Sequence, residues 1–130
     1  MSVTGLRLAA LTLIVPDYDA GIGFFVDVLG FRLLQDIPQP GKRWVVVEPP
    51  GGGASLVLAR PANAEQAAAM GHQGGGRVWL FLETDDFARD HARMTAAGVV
   101  FEEAPRHEPY GTVAVWRDPF GNRWDLLQPA

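Results

Sequence analysis

A chain of 130 residues, 48% hydrophobic and 20% charged, has room for one domain with its own core. It contains no cysteine, which excludes a disulfide framework, a thiolate metal site and a cysteine nucleophile and fits a cytoplasmic setting. The formal charge of −4 is carried with 11 basic residues scattered along the chain, so no concentrated basic face, and no nucleic-acid partner, is expected.

The chain opens with an apolar run, residues 6–15, that reads as a buried strand. It is too short to span a membrane, and Pro16-Asp17 stops it where a signal peptide would need a small-residue cleavage site. No membrane partner is expected. Asp17 can cap a helix with Ile22, Phe25, Val26 and Leu29 on one stripe and Gly30 as its stop. Strand patterns follow at 31–37, 43–49 and 54–60, with Gly51-Gly52-Gly53 as a hairpin turn. Residues 61–76 are alanine-rich and then glycine-rich, which predicts a short helical turn and a flexible linker.

The second half repeats the first. Residues 77–83 read as a strand, and Asp85 or Asp86 caps a helix with Phe87, His91 and Met94 on one stripe ending at Gly98. Strands are predicted at 99–105, 111–117 and 123–128, the last two joined by the turn Asp118-Pro119-Phe120-Gly121-Asn122. Asp17 to Gly30 and Asp85 to Gly98 are spaced alike, and the same offset that relates them carries Val57 onto Asp125. The expected fold is therefore α+β: a tandem of two βαβββ modules in one domain, residues 1–65 and 76–130, joined through 61–76. Each sheet keeps one face under its helix and one face bare. Two such curved mixed sheets can enclose a cleft, and a leftover edge invites a second chain, so a homodimer is expected.

Familiar catalytic constellations are scarce. Ser2 and Ser55 are the only serines and neither sits in a nucleophile elbow. The glycine triples lack the Lys-Ser/Thr of a phosphate loop. Glu102 and Glu103, adjacent in a predicted strand, point to opposite faces and cannot pair. No two of His72, His91 and His107 have the spacing of a helical metal pair. His72 is expected in solvent, and His91 on the helical stripe as a packing residue. His107, in the loop before 111–117, is the one histidine placed for proton transfer.

The stretch VPDYDAGIGFFVDVLGF resembles the first helix of the vicinal oxygen chelate superfamily, and YGTVAVWRDPFGNRWDLLQ resembles its closing hairpin and last strand. That superfamily includes glyoxalase I, bleomycin-resistance proteins and extradiol dioxygenases, and the resemblance spans both modules. It implies a glyoxalase/bleomycin-resistance-like fold and leaves the chemistry open. Metal-dependent members place ligands at four strand positions, which fall here on Ala10, Val57, Trp79 and Asp125. Only Asp125 carries a ligand group, so no cofactor is expected and a divalent metal set is not.

What remains reads as a pocket. On the expected cleft face, Trp79, Phe81 and Glu83 join Asp125, with Trp44, Trp116, Tyr110 and His107 as further lining candidates. Glu83 or Asp125 anchors a cationic or hydroxyl group, or Asp125 instead forms a salt bridge with Arg43, Arg117 or Arg123. The expected partner is a small aromatic, hydrophobic or cationic compound bound without metal. The competing reading is a lyase, isomerase or dioxygenase using Asp125 with His107, Glu83 or Glu48.

Overall fold

The computed structural model describes residues 4–130, so Ser2 lies outside the described residues. The chain divides into two compact units, Met1–Arg60 and Pro61–Ala130.

In the first unit β1 (Ala10–Ile14) is followed by α1 (Tyr18–Ile22), β2 (Arg32–Gln39), β3 (Lys42–Glu48) and β4 (Ser55–Ala59). The sheet order is β1-β4-β3-β2, so the first and last strands of the module lie side by side in parallel and Thr12 stands opposite Val57. Asp17 caps α1 as expected, its Oδ1 accepting from the Ala20 N–H at 2.7 Å. The helix then widens into a π-helical stretch, Gly23–Val28, where the Leu29 N–H donates to the Phe24 carbonyl, five residues back, at 3.0 Å. Phe25 and Leu29 remain buried beneath it. At Gly21 a Cβ would come within 2.8 Å of Leu58 Cδ1 and 3.1 Å of Val15 Cγ1. That close approach shows which face the helix covers. Leu13, Val15, Leu56 and Leu58 lie under it, and alternation leaves Thr12, Val57, Val46 and Trp44 on the other face.

The second unit holds α2 (Ala64–Ala69), β5 (Val78–Glu83), α3 (Phe87–Ala96), β6 (Val100–Phe101), β7 (Arg106–Glu108), β8 (Gly111–Arg117) and β9 (Arg123–Pro129). Its sheet order is β5-β9-β8-β6, with β5 parallel to β9 and β7 paired to β8. Asp86, and not Asp85, caps α3, accepting from the Arg89 N–H at 3.1 Å. His91 packs as expected, its ring 5.4 Å from Phe87 and 4.3 Å from Phe101. The Phe87 N–H donates to Gln128 Oε1 at 2.7 Å, so α3 covers the β9 face that carries Trp124, Leu126 and Gln128. Asp125 therefore belongs to the face opposite the helix.

Two expectations are corrected here. The strand expected at 99–105 stops at Phe101, because Glu103 Oε2 takes the Val115 N–H (2.9 Å) that the next ladder bond would use. The linker expected to be flexible is a fixed part of the second unit. Asn63 caps α2, and the following turns are closed by His72 N–H to Ala69 O (2.8 Å) and Gly75 N–H to His72 O (3.0 Å). Gly71 has φ +73°, and a Cβ there would run into the Phe120 carbonyl oxygen, so linker and hairpin meet backbone to backbone.

The hairpin itself turns around one carboxylate. Asp118 is 4% exposed. Its Oδ1 accepts from the N–H groups of Phe120 (3.0 Å), Gly121 (2.9 Å) and Asn122 (3.0 Å). Its Oδ2 accepts from Asn122 Nδ2 (2.9 Å) and Trp124 Nε1 (3.0 Å). A buried carboxylate is costly unless its lone pairs are filled, and here five donors fill them. Asp118→Ala strands those donors and is expected to cost about 3 kcal/mol or more, lowering Tm by roughly 10 °C in thermal unfolding. A change of less than 1 °C would contradict this account.

Candidate functional site

Register on the bare face of the second sheet decides which candidates meet. Phe81 stands opposite Asp125 and Glu83 opposite Leu127, while on the other side Val115 and Val113 pair with the same two β9 residues. Asp125 thus lies between Phe81, 65% exposed, and buried Val115. Its Oδ1 is buried and has no hydrogen-bond partner among the described residues. Burial pushes the Asp125 carboxyl above the usual carboxylate range. Arg106 opposes that rise, Glu103 adds to it and Arg123 opposes it again.

The salt-bridge reading of Asp125 fails for a visible reason. Arg117 and Arg123 both bind Glu102, at 2.7 Å and 2.9 Å, and Arg43 binds Asp36 and Asp19, at 2.7 Å and 2.9 Å. Each of the three arginines has another acid, and among the described residues none forms an ion pair with Asp125.

Other candidates are displaced. Trp79 is the extra residue of a bulge in β5, between Val78 opposite Arg123 and Leu80 opposite Trp124. It has no β9 residue opposite it, and its Cβ packs on Gly74, where an added Cβ would come within 2.6 Å. Trp116 is 0% exposed and stacks on Trp124 at 4.8 Å, on the α3 side of the sheet; it is a core residue and lines nothing. His107 pairs with Thr112, its Nδ1 3.3 Å from Thr112 Oγ1, and Thr112 pairs with Gln128 on the helix-covered face. Alternation thus puts Arg106, not His107, on the Asp125 face, through its pairing with Val113. Arg106 was missed in the sequence because a short strand among Glu, Pro and His has no hydrophobic period to fix its facing. It is held by Glu103 at 2.8 Å and Glu108 at 3.2 Å.

In the first sheet Trp44 is half-exposed on the helix-free face, opposite Ile37, with its Nε1 donating to Gln35 Oε1 at 2.7 Å. Glu48 is taken up by an ion pair with Arg32. The pairing also bears on metal binding. The residue beside Val57 is Thr12 rather than Ala10, and the residue beside Asp125 is Phe81 rather than Trp79. In the first unit the pair is a hydroxyl and an aliphatic side chain, in the second a carboxylate and a phenyl ring, and neither pair is the imidazole and carboxylate set that a divalent ion requires. Among the described residues, no three His, Cys, Asp or Glu side chains converge in a metal-holding group.

Comparison with known proteins places this architecture. Residues 7–126 match the model of the Glyoxalase/Bleomycin resistance protein/Dioxygenase superfamily. The chain belongs to that superfamily. An uncharacterized protein of Shewanella frigidimarina is 53% identical over 121 residues, covering 91% of this chain and 90% of its own. Among solved structures, TnmS3 of Streptomyces sp. CB03234, described as an antibiotic binding protein, is similar with a TM-score of 0.79 at 32% identity, over 100% of this chain and 99% of its own. A glyoxalase/bleomycin resistance protein from the same organism gives a TM-score of 0.70 at 34% identity, over 92% and 98%. In this superfamily member no helix among the described residues is long and apolar enough to cross a membrane.

The raised pKa of Asp125 has a definite sign in stability. Between the ordinary carboxylate pKa and the raised folded value, the folded state holds the extra proton, so this group's contribution falls as pH rises through that window. Above that window the whole penalty is present. Asp125→Asn is therefore expected to raise Tm at pH 7, with the gain shrinking as pH falls through that window and gone once pH is below the ordinary carboxylate pKa. Thermal unfolding across pH checks it, and a lower Tm for the variant at pH 7 would show that Asp125 has a stabilising partner.

Proposed function

We propose that this protein binds a small aromatic or hydrophobic compound carrying a cationic or hydrogen-bond-donating group, that it does so without a metal, and that Asp125 receives that group. The observation that carries the reading is the buried, unpartnered Oδ1 of Asp125 on a face whose neighbours in register are Phe81 and Val115. An apolar surface with one unmet acceptor suits a mainly apolar ligand with one donor, which orients it and recovers the cost of desolvating the acid. The 32% identity to TnmS3 supports an antibiotic-like ligand and a resistance role by sequestration. Phe81 supplies a stacking surface, and Arg106, tied to two glutamates, borders the face without neutralising Asp125.

The chain is further proposed to act as a homodimer. Leu33, Leu34 and Ile37 on the edge strand β2, with Trp44 beside them, are each at least 40% exposed, an apolar edge of the kind a second chain covers. The raised pKa also suits Asp125 to proton transfer, which is the specific ground for the enzymatic alternative.

The test uses chelator-treated protein and a panel of aromatic antibiotics with and without amines, followed by intrinsic tryptophan fluorescence and calorimetry. Saturable binding at one site per chain without turnover is expected, and Asp125→Asn should weaken amine-bearing ligands by about tenfold or more, in line with a charge-assisted hydrogen bond. Binding that requires added divalent metal would overturn the proposal, and turnover by metal-free protein would replace it with the enzymatic one. Sedimentation of the same sample should give a dimer, and a monomer at micromolar concentration removes that part.

A further inference from the structure

A cavity of about 200 Å³ in the second unit lies apart from the Asp125 face. It is lined by the glycine turn after α2 and by the hairpin between β8 and β9, with His72, Arg77, Arg117, Asn122 and Arg123 supplying the side chains. Phe81, Glu83 and Asp125 do not border it. We propose that this cavity is a binding site for a small oxyanion that also carries a hydroxyl donor, hydrogen phosphate being the simplest member of the class.

Charge is the first reason. Three guanidinium groups meet there in a chain whose formal net charge is −4. Glu102 answers both Arg117 and Arg123 and leaves the cluster with excess positive charge, and the two arginines hold its carboxyl below the usual range, Arg123 foremost. Arg77 forms no ion pair among the described residues, so its fork of donors is available to an anion.

The second reason is an acceptor left over. Asn122 is 2% exposed, and its Nδ2 donates to Asp118 Oδ2 at 2.9 Å. That bond fixes the amide, because a carboxylate can only accept. Asn122 Oδ1 is then buried with no partner among the described residues. A purely accepting anion does not satisfy this atom, whereas the O–H of a hydrogen phosphate does.

The third reason is that the walls are already in place. Gly71 lies on Phe120 backbone to backbone, and a Cβ on Gly121 would come within 3.1 Å of the Gly71 carbonyl. Arg123 donates to the Gly76 carbonyl at 3.0 Å and Arg117 to the Gly121 carbonyl at 3.2 Å, so turn, hairpin and both arginines are held together before any ligand arrives. Preorganised donors lose little on binding.

The experiment titrates full-length protein with sodium phosphate, sodium sulfate and sodium chloride at matched ionic strength, followed by calorimetry and amide NMR. Saturable phosphate binding is expected, with shifts at Gly74, Gly76 and Asn122. Sulfate, lacking a hydroxyl at neutral pH, should bind several-fold more weakly. Arg77→Gln, an exposed substitution that leaves the fold intact, should weaken phosphate about tenfold. A chloride response equal to that of phosphate, or an unchanged affinity in Arg77→Gln, would overturn the site. Sulfate binding as tight as phosphate would overturn the role of Asn122. Asp125→Asn is expected to leave phosphate binding unchanged, which keeps this test independent of the compound-binding proposal.

Discussion

The five hydrogen bonds accepted by Asp118 are the interaction on which the second unit depends. They close the hairpin, position Asn122, and hold the Trp124 indole against Trp116. With Trp124 fixed on the helix side, strand alternation leaves Asp125 no choice of face. The same hairpin presents the Phe120 carbonyl to Gly71, so a stretch that composition marks as flexible becomes a wall. One carboxylate thus organises core, candidate site and linker together.

A second acid shapes the site by diverting charge. Glu102 gathers Arg117, at the end of β8, and Arg123, at the start of the Asp125 strand. Glu103 and Glu108 do the same for Arg106. Asp125 is left in the field of cations without an ion pair to any of them, and desolvation outweighs their attraction. An unpaired acid of this kind lowers stability, and a ligand that supplied a donor or cation would offset that cost. Compound binding is proposed from this unpaired acid and not from the shared scaffold alone.

Much of this was legible in the sequence. The repeated spacing of cap, helix stripe and glycine stop gave the tandem modules, because those signals are local and their periods are distinct. The helix-side placement of Trp124 and the opposite placement of Asp125 followed from alternation within a single strand. What was not legible required contacts between strands or between loops. A bulge in β5 moves Trp79 out of register, and no local signal in the residues around it marks the extra residue. Trp116 is assigned to the core only when Trp124 is seen opposite it. Arg106 and His107 exchange roles because β7 is too short to show a period. The π-helical widening after Ile22 is likewise invisible, since one apolar stripe is compatible with either helix.

The most direct test of the account is the ionisation of Asp125 itself, read by carbon NMR of its side-chain carboxyl in metal-free protein, first alone and then saturated with an amine-bearing aromatic ligand. The account predicts a pKa above the usual aspartate range in the free protein and a marked fall when the ligand's cation occupies the site. An ordinary or lowered pKa in the free protein, or a value unmoved by a saturating ligand, would contradict it.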